Sequence, residues 1–129
     1  MSLLHFKFSG TTYEQGLAHG EALQESITKN IDIYLNRFEK EADIGKNELL
    51  ENTGIYLNVL REQSPEYVNG MNGISESSNI ELLEIAMLNL RYELLYHALG
   101  KKLQSDAVDG CTSFAVLPEA SENNHLLVG

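Results

Sequence analysis

The spacing of apolar residues changes character once along this chain, and that change most constrains what it can fold into. From Thr11 to Lys102 the apolar positions recur at helical intervals, whereas beyond Gln104 they follow the shorter period of strands. A helical block followed by extended segments is the order of an α+β protein. With 129 residues the chain fits one domain, and a chain of this size buries roughly two thirds of its unfolded surface.

Before the first helix, Leu3-Leu4-His5-Phe6-Lys7-Phe8 alternates and then breaks at Ser9-Gly10, which predicts a short strand and a turn. Thr11 and Glu14 have capping-box spacing, and Tyr13, Leu17, Ile27, Ile31, Tyr34 and Phe38 share one stripe of a helix reaching about Glu41. Gly16 and Gly20 lie on this helix one turn apart, which predicts close approach of another backbone. His19 between them reads as a packing residue. Gly45 ends or interrupts the helix, and Leu49, Leu50, Tyr56, Leu57 and Leu60 predict a second, weakened in the middle by Thr53-Gly54. Ser64-Pro65-Glu66 then opens a third, short helix through Met71 and Ile74.

The strongest helical pattern covers residues 80 to 99. Ser78 and Glu81 have capping-box spacing at its start, and Gly100 with Lys101 and Lys102 marks its end. Its apolar residues leave a narrow polar path through Asn89, Arg91, Glu93 and His97, which predicts one largely buried central helix. Glu93 and His97 have the i, i+4 spacing of an ion pair, and Arg91 needs a partner from another segment.

A net charge of -10 and only nine Lys and Arg argue against a nucleic-acid surface. No run approaches the ~18 apolar residues of a membrane span, and the first residues carry no signal-peptide pattern. We expect a cytoplasmic protein without nucleic-acid or membrane partners. One cysteine forms no internal disulfide and no thiolate zinc site, so neither a metal nor another cofactor is expected, and the chemistry of Cys111 is that of a free thiol.

Cys111 opens a strand spanning 111 to 117, a turn follows over 118 to 124, and a second strand covers 125 to 128. A thiolate can attack the carbonyl of the preceding peptide, and Gly110 leaves that carbonyl open and its backbone free. Acyl transfer from nitrogen to sulfur followed by hydrolysis frees a cysteine that carries both thiol and α-amine. The amine, with a reference pKa of ~7.7 to 8.0, can serve as the base for its own thiol. Asp109 is placed to orient the scissile peptide, and Thr112 or Ser113 to donate hydrogen bonds to a developing oxyanion, although all three also suit a turn or strand.

Ser9-Gly10-Thr11, Tyr13-Glu14-Gln15-Gly16, His19-Gly20 and Asp109-Gly110-Cys111-Thr112-Ser113-Phe114 together resemble the acyl-coenzyme A:6-aminopenicillanic acid acyltransferase (isopenicillin N acyltransferase) family of N-terminal nucleophile hydrolases. The resemblance implies self-cleavage before Cys111, a mostly helical small subunit, and a large subunit with an αββα core headed by that cysteine. It also implies an Asn-Trp-Asp segment past Gly129, with most of the sheet and the remaining oxyanion and substrate groups.

The expected architecture is thus α+β: the helical part of an αββα protein over 1 to 110, and the first strands of an incomplete sheet over 111 to 129, with a further strand at the start. A sheet of two or three short strands has unprotected edges, so we expect a fragment of the enzyme whose partners are the remainder of the precursor and a small amide or acyl-donor substrate. The alternatives are a noncatalytic helical interaction module, favoured by the acidic composition and the apolar 80 to 99 helix, and a catalytically inactive fragment.

Overall fold

A computed structural model describes residues 5 to 102 and 114 to 128. Five α-helices, one turn of 3-10 helix (Pro118–Ala120) and a two-stranded antiparallel sheet make up the regular structure of these residues: α1 (Thr12–Ala42), α2 (Lys46–Gln63), α3 (Pro65–Ser78), α4 (Leu82–Asn89), α5 (Arg91–Lys102), β1 (Ala115–Val116) and β2 (Leu127–Val128). The α+β class holds, with the helices dominant.

α1 starts where the capping box predicts. The Thr11 hydroxyl accepts from the backbone N–H of Glu14 at 3.2 Å, and the Glu14 carboxylate accepts from the Thr11 N–H at 2.8 Å, which satisfies two of the donors a helix start leaves open. Gly10 supplies the turn before it, at φ +100°, and its carbonyl accepts from Gln15 Nε2 at 2.8 Å. α1 departs from helical geometry at Leu23 (φ -127°, ψ 16°) and ends at Ala42, with Asp43 in the left-handed region at φ 59°.

The long contact of the bundle is that of α1 on α3. A methyl group at Gly20 would lie 2.6 Å from the Ile74 carbonyl oxygen, one at Gly73 2.8 Å from the Leu17 nitrogen, and one at Gly16 would collide with the Gly70 carbonyl. The close packing predicted for Gly16 and Gly20 is therefore present, and it is reciprocal, since Gly73 of α3 faces the backbone of α1. Hydrogen bonds flank the crossing: Thr12 Oγ1 donates to Glu66 at 2.8 Å, Tyr13 Oη donates to Glu76 at 2.5 Å, and Gln24 Nε2 donates to the Ser78 carbonyl at 2.7 Å.

Phe38, Leu49, Leu57, Ile85 and Met87 are fully buried side chains of the core, which α4 and α5 close with Ala86, Leu90, Leu94, Leu95 and Ala98. Thr53 is enclosed with them and donates to the Leu49 carbonyl at 2.8 Å, so α2 runs unbroken through the Thr53-Gly54 pair expected to weaken it. Proline opens α3 as predicted. Ser64 precedes it without a side-chain capping bond; its carbonyl accepts from the N–H of Tyr67 and Val68 instead.

Three expectations are corrected. Residues 80 to 99 do not form one helix opened by Ser78: that serine ends α3 with its hydroxyl donating to the Ile74 carbonyl, and Asn79 turns the chain at φ 55°. The helix then restarts after Glu81 and breaks at Leu90 (φ -94°, ψ 10°), and Gly100 lies inside α5 rather than beyond its end. Nor are these helices buried on nearly every side, because Leu83, Tyr92, Glu93, Tyr96 and His97 face solvent while the opposite face joins the core. Finally, residues 5 to 8 form no strand. Phe6 stacks on Phe8 (6.0 Å between centroids) and Phe8 on His19 (5.7 Å), so the alternating aromatics cover α1 rather than pair in a sheet.

Two stability measurements test this account. Because a methyl at Gly73 meets backbone, Gly73→Ala lowers unfolding free energy by about 1–3 kcal/mol, whereas Gly54→Ala, whose nearest obstacle is Leu83 Cδ2 at 3.9 Å, raises it by up to ~1 kcal/mol through helix propensity; urea unfolding of both variants gives the signs. The Thr11 backbone N–H holds the Glu14 carboxyl below the usual carboxylate range. A depressed folded-state pKa stabilises above the unfolded value and the effect is lost as pH falls through the folded one. The protection factors of the amides at the start of α1, taken relative to their intrinsic exchange rates at each pH, therefore fall on acidification, and Glu14→Gln removes that dependence.

Candidate functional site

The block read as the reactive site, Asp109, Gly110, Cys111, Thr112 and Ser113, lies outside the described residues. On either side of it, α5 ends at Lys102, and β1 begins two residues past Ser113, after Phe114. The hairpin is shorter than the predicted strands, pairing Ala115 with Val128 and Val116 with Leu127. A single-turn helix at Pro118–Ala120 and a turn at Ser121 to Asn124 connect the strands, with the His125 N–H donating to Ser121 Oγ at 2.9 Å. Phe114, Leu117, Leu126, Leu127 and Val128 are all more than half exposed, so the hairpin presents apolar side chains that it does not bury itself.

Among the described residues, no group of three His, Cys, Asp or Glu side chains is arranged to hold a metal ion, and no helix is long and apolar enough to cross a membrane. The ion pairs recorded there are Arg37 with Glu41 and Lys46 with Glu84. Glu93 and His97, spaced for a pair, are in neither. His97 instead borders a cavity of about 320 Å³ with Leu94, Ala98 and the segment that joins α1 to α2.

A second depression, of about 330 Å³, follows the α1/α3 crossing and is bordered by Phe8, Gln15, His19, Glu66, Tyr67 and Asn89. Its polar groups are committed to holding the fold. Glu66 accepts from Thr12, Tyr67 Oη donates to Asn89 Oδ1 at 2.9 Å, and Asn89 Nδ2 donates to the Ile85 carbonyl at 2.9 Å. His19 has its ring against Phe8, in agreement with a packing role.

Arg91 finds its partner on another segment, as predicted, but the partner is an aromatic ring rather than an acid. Its guanidinium lies 5.4 Å from the centre of the Tyr34 ring of α1 and 4.6 Å from that of Tyr92, and Nη1 donates to the Leu88 carbonyl at 2.8 Å. Arg37 lies over the Tyr34 ring as well, at 5.5 Å. Hydrogen bonding to Arg91 lowers the Tyr34 phenol below its ordinary pKa and raises that of the arginine. Nothing in the local sequence around Arg91 points to Tyr34, because the contact spans two helices far apart in the chain.

No protein-family model matches the chain. An acyl-coenzyme A:6-aminopenicillanic-acid acyltransferase, 40 kDa form, from Emericella nidulans is 31% identical over 111 residues, covering 86% of this chain and 29% of the relative. The similarity supports a link to that acyltransferase at the level of family. The chain spans 29% of that relative's length. A stretch of 111 residues leaves at most 18 of the 129 outside it, so the matched region contains positions 19 to 111 wherever it starts.

Proposed function

We propose that this chain is the leading part of a self-processing amidohydrolase or acyltransferase in which Cys111, freed by cleavage of the Gly110–Cys111 peptide, is the nucleophile. The observation that carries the proposal is the Asp109-Gly110-Cys111-Thr112-Ser113 block at the helix-to-strand changeover. The similarity to an acyltransferase over 86% of the chain supports it.

Processing begins when Cys111 Sγ adds to the Gly110 carbonyl carbon. The C–N bond breaks, the Cys111 nitrogen takes a proton, and a thioester remains. Water then adds to that thioester, the C–S bond breaks, and Gly110 leaves as a carboxylate. Glycine at this position keeps the carbonyl sterically open and tolerates the strained backbone of the adduct.

The released α-amine of Cys111, with a pKa of ~7.7 to 8.0, accepts the thiol proton as sulfur attacks the carbonyl of an amide or acyl donor. It returns that proton to the departing amine. The acyl group is then held on sulfur as a thioester, which water resolves in a hydrolase and a second amine resolves in a transferase. Thr112 and Ser113 supply hydrogen bonds near the oxyanion and Asp109 orients the scissile peptide. The exposed apolar side chains of the hairpin, Phe114 and Leu126 among them, suit burial against further strands of the same precursor, which is the partner we propose.

A noncatalytic interaction module is the competing reading, favoured by Ile55 and Val59, which stand one turn apart on α2 at 65% and 46% exposure. Thiol chemistry separates the two. In the full protein, intact-mass measurement is expected to resolve a piece ending at Gly110, and Cys111→Ala is expected to abolish the cut. Alkylation of the processed protein at Cys111 is expected to remove activity on amide substrates. A Cys111→Ala protein that still breaks at this bond, or an unreactive Cys111 in the folded wild type, defeats the proposal in favour of the module.

A further inference from the structure

Nine basic residues serve a chain of nineteen acidic ones, so an arginine without an acidic partner is unexpected. Arg37 is bound to Glu41 through both oxygens, at 2.8 and 3.0 Å, and Lys46 to Glu84. Arg91, by contrast, is held by the rings of Tyr34 and Tyr92 and by the Leu88 carbonyl, and it is in no ion pair recorded among the described residues. Rings and a neutral carbonyl fix the guanidinium without cancelling its charge. A guanidinium carries five N–H donors in a planar fork, and among the described residues the contacts to Leu88, Tyr34 and Tyr92 engage only part of it.

The surroundings say what would complete that fork. Arg91 and Leu88 border two adjoining cavities. One, of about 250 Å³, is shared with Asn30 and Tyr34. The other, of about 220 Å³, enters between α1, α3 and α4 and is walled by Ile27, Ile74, Ile85 and Leu88. Asn89 and His19 also border it; the Asn89 side chain is bonded to Tyr67 and to the Ile85 carbonyl, and the His19 ring is stacked on Phe8. Among the described residues, Arg91 is thus the charged group that borders both cavities, and the one walled by Ile27, Ile74, Ile85 and Leu88 is mainly apolar. A cavity of ~150 Å³ is enough to admit a benzene-sized group.

We propose that Arg91 is the anchor of a binding site for a small apolar carboxylic acid, with the carboxylate on the guanidinium fork and the hydrocarbon part between Ile27, Ile74, Ile85 and Leu88. Planar, two-point pairing favours a carboxylate as the anion, and the aliphatic wall favours one with a hydrocarbon tail over a bare ion. The proposal rests on Arg91 and its surroundings and does not depend on the reading of Cys111.

The test follows the Arg91 Nε–Hε signal of the full chain by NMR while hexanoate is added, with acetate, inorganic phosphate and hexanamide as comparisons. Hexanoate is expected to displace the signal saturably, and acetate, phosphate and hexanamide to bind about tenfold more weakly or less, as follows from losing either the tail or a charge-assisted pair. Arg91→Gln is expected to weaken hexanoate about tenfold or more, with Arg91→Lys between the two. Leu88→Phe fills the cavity while keeping the arginine, so it is expected to abolish the preference for hexanoate over acetate; thermal unfolding of each variant checks that it is folded. An Arg91 signal unmoved at the highest soluble hexanoate concentration overturns the proposal and indicates a carboxylate of the protein already on the fork. Equal affinity for phosphate and hexanoate, or for hexanamide and hexanoate, overturns it as well.

Discussion

Backbone-to-backbone contact between α1 and α3 is the constraint on which the rest of the bundle depends. Gly16, Gly20 and Gly73 bring the two helices to a separation that side chains forbid. Each glycine costs helix propensity, up to ~1 kcal/mol, and the loss is offset by dispersion contacts of two closely apposed surfaces. That separation lets short polar bridges such as Thr12–Glu66 and Tyr13–Glu76 tie the start of α1 to α3. With α3 fixed on the first half of α1, the second half is left to meet α5, where Ile31, Phe38 and Ala42 join Leu94, Leu95 and Ala98 in one core.

How much of this was legible in the sequence depended on the range of the interaction. The Thr11–Glu14 capping box is local, and its pattern alone predicted the hydrogen bonds that form. Gly16 and Gly20 pointed to a close neighbour but not to Gly70 and Gly73, because nothing near them in the chain encodes the partner. The 80 to 99 segment misled for a physical reason: its apolar repeat continues through Leu90 without a mark of the break there, and the capping spacing of Ser78 with Glu81 competes with Asn79, a residue type that favours the left-handed turn it makes. Phe6 and Phe8 alternate like strand residues, but the ring of His19 gave them a place on α1. Of the proposed reactive site, only its setting between α5 and β1 is described.

The two ends of that setting differ in how they are held. Up to Lys102 every element rests on a shared core, whereas the hairpin of β1 and β2 leaves its large apolar side chains in solvent. Under the reading proposed for Cys111, this difference is useful. A peptide that must be attacked by its own side chain needs a local geometry that a regular helix or a sheet ladder forbids, and in the sequence Gly110 falls after the end of α5 and before the start of β1. On that reading the helical part supplies a rigid attachment, and whatever covers the apolar hairpin adds to the hydrogen bonds proposed for Thr112 and Ser113.

Charge makes a second division within the bundle. The bridges at Arg37–Glu41 and Lys46–Glu84 neutralise their cations and lie towards solvent, where such pairs add at most about 1 kcal/mol. Arg91 is fixed differently, since aromatic faces attract a cation without contributing a countercharge. Its attraction for an anion therefore remains, and within an otherwise acidic chain that attraction is local rather than a property of the whole surface. Among the described residues no acid is paired with Arg91, and an uncharged side chain packed against Tyr34 would also fasten α5 to α1. Retaining the charge makes sense if something anionic meets it there, and the aliphatic wall formed by Ile74, Ile85 and Leu88 selects what that anion carries.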